Sequence, residues 1–176
     1  MFESWVQDAN DCAKIIDKEL LMFRKEAYKI AREQIDVVEG IDNFTKEKGR
    51  HREKERLREI AEFIRYSRLM LARLYFQRKI AGLITISAII VSMLGFVSGK
   101  SLLYCLLPLG LGAVGFVLMI ITSTVLGKHF ASNMAQAYTH YGICEAVIAM
   151  LDFRGQESID LDRAPVFENY TLGDLL

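Results

Sequence analysis

The sequence predicts an all-α membrane protein, a two-helix transmembrane hairpin carried by a cytosolic, coiled-coil-like helical bundle. Three observations point there. Of 22 basic and 22 acidic side chains, only Lys100 falls among the 48 residues from Ile80 to Gly127. Outside that stretch, apolar residues recur at alternating spacings of three and four, the period of one helix face. Only two Pro occur in 176 residues, so little interrupts long helices.

The first predicted element is an amphipathic helix. Its seam is Val6, Ala9, Ala13, Ile16, Leu20, Phe23, Ala27, Ile30, Gln34 and Val37, ended by Gly40 and the Asp42-Asn43 pair. From Lys46 to Glu59 the chain carries seven basic and four acidic residues, the composition of a solvated, salt-bridged helix. The seam resumes at Leu57, Ile60, Ile64, Ser67, Leu71 and Leu74. Residues 1–79 therefore read as an antiparallel cytosolic helical hairpin.

The uncharged stretch follows, as residues 80–127. Ile80–Gly99 and Ser101–Gly127, of 20 and 27 residues, are parted only by Gly99-Lys100-Ser101. Each is long enough to cross a hydrocarbon core of ~30 Å at about 1.5 Å per residue. A soluble chain of this size could hardly surround both. Arg68, Arg73, Arg78 and Lys79 form an expected inner-leaflet basic collar, with Lys128 on the other flank. The positive-inside rule then places both termini in the cytoplasm.

The spacing of the second seam continues into the span as Arg78, Ala81, Thr85, Ala88, Ser92, Gly95 and Gly99. Large apolar residues give way to small ones where the bilayer would begin. In lipid, helices associate through close approach at small residues, because leaving the solvent gains nothing there. One helix from about Leu57 to Ser98 is expected, facing a matching stripe of Cys105, Pro108, Gly112 and Gly115. These stripes are the candidate pore lining or helix-packing surface. Residues 128–151 resume an aqueous seam at Met134, Ala137, Tyr141, Cys144, Ile148 and Leu151. The tail, 152–176, has six acids and two Arg, an electrostatic match for Lys46–Arg58.

Several chemistries are excluded. Gly110-Leu-Gly112-Ala-Val-Gly115 has the spacing of a dinucleotide fingerprint, but it lies inside a span and lacks the strand and the acidic residue that the motif requires. His51 and Glu55 are one helical turn apart, and two ligands do not make a metal site. Cys12, Cys105 and Cys144 are odd in number and far apart. No set of residues suggests an enzyme, a metal or a cofactor. Acids interspersed in the basic tract make nucleic acid an unexpected partner. With no acid between Lys79 and Glu145, neither an acidic selectivity ring nor a proton relay can be built. A pore lined by Thr85, Ser87 or Ser92 would be weakly selective.

The layout of helical arm, basic stretch Arg68–Lys79, two spans and helix Phe130–Leu151 resembles the SLATT domains, over roughly Leu57–Leu151. The resemblance implies a membrane-permeabilising effector of bacterial antiviral defence. Such an effector would sit in the inner membrane, form homo-oligomers and answer to a cytosolic defence or signalling partner. The calcium uniporter pore, also two-spanning, needs an acidic motif at the mouth of its second span. Here Ser101–Pro108 has no acid, so that likeness fails. The alternative function is a membrane-anchored coiled-coil scaffold or adaptor recruiting a cytosolic partner.

Overall fold

The computed structural model describes residues 2–34, 43–99, 101–151 and 169–176. Almost all of these are helical, and no strand occurs among them. The helices are α1 (Phe2–Gln34), α2 (Asn43–Val97), α3 (Leu102–Leu151) and a short α4 (Leu172–Leu175). Gly40 and the tail residues 152–168, to which the sequence assigned a helix stop and an electrostatic contact, lie outside the described residues.

α2 and α3 form one antiparallel hairpin along their whole length. At its tip Ser98 N and Gly99 N donate to Leu94 O and Phe96 O. Gly99 has φ of +66°, a left-handed conformation that glycine adopts without a Cβ penalty. α3 then starts at Leu102, early enough for Pro108 to lie inside it; only one helical N–H is lost there. The 55-residue α2 runs unbroken through the expected 79/80 boundary, and the 50-residue α3 through 127/128. The division between materials therefore lies in side chains, with no break in the backbone.

α1 packs on the end of the hairpin remote from the tip, antiparallel to α2 and parallel to α3. Three clusters mark the resulting three-helix core. Ala9, Ala72, Phe76 and Leu175 lie nearest the apolar segment. Leu20, Ile64, Met134, Ala137 and Tyr138 occupy the middle. Tyr28, Ala31 and Ala146 close the far end. At the crossing of α1 and α3, a Cβ on Gly142 would run into the backbone carbonyl of Arg24, so hydrogen is the only side chain that fits.

The seam of α1 is shifted from its expected position, whereas Ile64, Ser67, Met134, Ala137 and Cys144 of the other two seams are buried as expected. Phe23 and Ile30 are 39% and 46% exposed. α1 instead buries Asn10, Ala13, Asp17, Leu20, Arg24, Ala27 and Ala31, a stripe about one residue round the helix. The shift has a polar cause: Asn10, Asp17 and Arg24 repeat every seven residues, and each is buried against a hydrogen-bond partner.

α2 and α3 are each long and apolar enough to cross a membrane. Their most apolar 18-residue windows have mean hydropathy of 2.4 and 2.3, and only 11% and 6% of each window is buried.

Candidate functional site

Two features stand apart from ordinary packing, and they occupy opposite ends of the α2–α3 hairpin. The first is a ladder of buried polar contacts on the inner face of α1. Its rungs are one heptad apart, about 10.5 Å along the axis. At the rung nearest the apolar segment, Asn10 Nδ2 donates to Tyr170 O at 3.0 Å, and Tyr170 N returns a bond to Asn10 Oδ1 at 2.8 Å. The side-chain amide thus pairs both ways with the backbone of one residue of the C-terminal segment.

At the middle rung, Arg68 Nε donates to Asp17 Oδ2 at 2.7 Å and Tyr138 Oη donates to Asp17 Oδ1 at 3.2 Å. Burial pushes the Asp17 carboxyl above its ordinary value, against the opposing pull of Arg68 and Tyr138. Burial, joined by the Asp17 carboxylate, drives the Tyr138 phenol far above its usual range. Tyr138 therefore stays a hydrogen-bond donor at any physiological pH.

At the far rung, Arg24 Nε and Nη2 reach Glu145 Oε2 and Oε1, each at 2.6 Å, in the two-pronged geometry that favours Arg over Lys. Burial alone would lower the Arg24 pKa, and Glu145 outweighs it, so the guanidinium is held above its ordinary value. The ring of Tyr141 lies 5.3 Å from the guanidinium carbon. Beside this rung Cys144 is buried. Burial and then the Glu53 carboxylate push its thiol up to about 11.

The second feature is the apolar hairpin. Ala81 is buried, and Thr85 Oγ1 donates to its carbonyl at 2.9 Å. A Cβ on Gly112 would meet the Ala88 Cβ at 3.0 Å, and one on Gly95 would meet Cys105 Sγ at 3.1 Å. Ser92 is 8% exposed, and its Oγ finds no hydrogen-bond partner among the described residues. Ala88, Ser92, Gly95, Cys105 and Gly112 are thus brought together between the two helices of one chain. Gly115, expected on the same stripe, faces open space, and Gly99 serves the turn. The outer surface is large and apolar. Ten large hydrophobic side chains on α2, from Leu83 to Val97, and thirteen on α3, from Leu102 to Leu126, are exposed.

The basic collar requires a correction. Arg68 is only 2% exposed and belongs to the bundle core. It shares a helix face with Ile64 and Ala72, four residues either side, and that face meets Asp17. Arg73 is turned to the C-terminal segment, with Nε donating to Asp174 O at 2.7 Å. Arg78 and Lys79 remain beside the apolar segment. Arg78 Nη2 reaches Thr124 Oγ1 at 3.4 Å. Lys79 Nζ lies 3.8 Å from Asp8 and 5.4 Å from the Tyr75 ring centre.

The described tail residues also depart from expectation. They lie along Arg65–Phe76 and away from Lys46–Arg58. Leu175 is buried with Ala9, Ala72 and Phe76. Arg68 covers the Tyr170 ring at 5.1 Å, and Tyr170 Oη donates to Arg65 O at 3.3 Å. Sequence reasoning missed the ladder because apolar periodicity is blind to polar residues in a seam. The visible signal was the heptad repeat Asn10, Asp17, Arg24. No group of three His, Cys, Asp or Glu able to hold a metal occurs among the described residues. No protein family, characterised protein or solved structure matches this chain.

Proposed function

We propose that Ile80–Gly127 is embedded in a bilayer and that the protein is a homo-oligomeric membrane module whose assembly permeabilises that bilayer. The observation that carries the reading is the belt of 23 exposed large hydrophobic side chains, ten on α2 and thirteen on α3. Soluble monomers rarely expose an apolar patch beyond a few hundred Å², and lipid is the solvent that suits this one. Arg78 and Lys79 at the base of the belt favour an inward-facing bundle, with both termini in the cytoplasm. Placement in the bacterial inner membrane and in antiviral defence rests on the architectural likeness to SLATT effectors.

The packing limits which faces can line a pore. Ala88, Ser92, Gly95 and Gly112 are occupied within the hairpin, so copies meet through outward faces. Away from the tip, the exposed small and polar residues there are Ser87, Gly110, Ala113, Gly115, Thr122 and Thr124. Purified protein in liposomes is expected to release small ions or dye. Ser87→Ala or Thr122→Val is expected to change conductance while assembly persists. Correctly inserted, assembled protein that passes neither ions nor dye under any trigger overturns the pore reading.

One observation favours a second reading, a membrane-anchored scaffold. A hairpin whose small residues are already packed against each other is complete as an anchor, which leaves recognition to the helical bundle. Capture of one stoichiometric cytosolic partner, without self-association, would favour this reading.

A further inference from the structure

The outward face of α1 carries a second heptad pattern. Ile15 and Met22 are 61% and 62% exposed, and they lie opposite the buried stripe of Asn10, Asp17 and Arg24. Beside them a basic–acidic dipeptide recurs every seven residues: Lys18-Glu19, Lys25-Glu26 and Arg32-Glu33. Lys18, Glu19, Glu26, Arg32 and Glu33 are exposed, and Lys25 is half-buried. On a helix, consecutive residues point about 100° apart. The basic members therefore form one column and the acidic members another, flanking the line of Ile15 and Met22.

We propose that this face of α1 pairs with the same face of a second copy of the chain, with the two helices parallel. The direction follows from the charge columns. In a parallel pair related by a twofold axis along the helices, the basic column of each copy faces the acidic column of the other. In an antiparallel pair, basic would face basic and acidic would face acidic. Side columns of this kind set partner choice and orientation in coiled coils. Ile15 and Met22 then meet their own counterparts on the axis. A parallel pair is also the one that two copies inserted the same way into one bilayer can form; that agreement rests on the membrane reading, whereas the charge argument does not. Two apolar contacts are too few for a tight dimer in dilute solution, but confinement to a membrane raises the effective concentration. Because α1 stands between its own hairpin and its partner, this contact tethers copies without bringing their hairpins together.

Disulfide trapping tests the pairing in proteoliposomes, with Cys12, Cys105 and Cys144 replaced by Ser. Ile15→Cys and Met22→Cys should each give a covalent dimer, and a mixture of the two should give no Ile15–Met22 cross-link. Phe63→Cys, exposed on α2, should stay monomeric. A Phe63 link in place of the α1 links, or an Ile15–Met22 link in the mixture, overturns the proposal. A second arm keeps the native cysteines and follows dimer dissociation in proteoliposomes, by energy transfer between copies carrying donor and acceptor fluorophores as the lipid-to-protein ratio rises. Lys18→Glu with Lys25→Glu should weaken the dimer about tenfold, and adding Glu19→Lys with Glu26→Lys should restore it. Loss without restoration overturns the charge argument. Resistance of the protein to carbonate extraction reads membrane insertion separately, so failure of pairing and failure of insertion are distinguishable.

Discussion

The two ends of the α2–α3 hairpin are built from the same pair of helices and solve opposite problems. In the bundle, a third helix covers the pair, large residues such as Phe76, Ile64 and Tyr138 are fully buried, and charges go inside in pairs. In the apolar segment no third helix is present among the described residues. There the large residues point outward, and small ones such as Ala88, Gly95 and Gly112 face in. The inversion is what the proposed bilayer placement of the apolar segment predicts. Water rewards removal of big apolar side chains from the surface. A lipid solvent offers no such reward, so close backbone approach remains as the source of cohesion.

The sharpest way to break the bundle end is to orphan a buried charge. Glu145→Ala removes the carboxylate that both prongs of Arg24 grip and should cost about 3–5 kcal/mol, read by denaturant unfolding of the bundle. Arg24→Met combined with Glu145→Leu should recover most of that loss, because an apolar pair replaces an ionic one. The next effect separates the two kinds of glycine. Gly142→Ala forces α1 away from α3 at the Arg24 carbonyl and should destabilise by about 1–3 kcal/mol in the same assay. Gly115→Ala, with nothing within 4 Å of its Cβ, should be nearly neutral.

A smaller effect is expected at the C-terminal segment. Asn10→Leu removes both bonds to Tyr170 and leaves its amide and carbonyl short of partners, at a cost of about 1–3 kcal/mol. Faster proteolytic trimming of residues after Asn169 checks this. The smallest effect is in pH. The Cys144 thiol is raised from 9.0 to about 11 in the folded chain. Its contribution to stability is therefore complete below pH 9 and lost as pH rises through about 11. Alkylation at pH 8 should be slow at Cys144, and Cys144→Ala should flatten the alkaline limb of the melting curve.

Legibility differed between the ends for the same physical reason. The apolar segment was legible as two long apolar helices joined by a short turn, because absence of charge over 48 positions has few other meanings. Small residues at helical spacing marked the two stripes without pairing them: Gly95 meets Cys105 and Ala88 meets Gly112, whereas Gly115 faces open space and Gly99 makes the turn. The bundle was legible as helices and only roughly as faces. Periodicity located Ala9, Ala13, Leu20 and Ala27, then chose Phe23 and Ile30 where Arg24 and Ala31 are buried. An apolar seam cannot register charges that are buried because they meet a partner 51 or 121 residues away, as Arg68 meets Asp17 and Glu145 meets Arg24. Arg68 looked like one more residue of a collar, since the heptad repeat that marks Asp17 does not say which cation it meets.

The unbroken course of α2 has a mechanical meaning. Its 55 residues span about 82 Å, and no hinge divides the part that touches α1 from the apolar part. A push on the bundle is therefore felt at the tip with little loss. Rotation of α2 by about 10° about its middle would sweep each end through roughly 7 Å, more than one helical turn. The tail and α1 grip this one rod along Ile64–Phe76, so whatever displaces that grip displaces the tip with it.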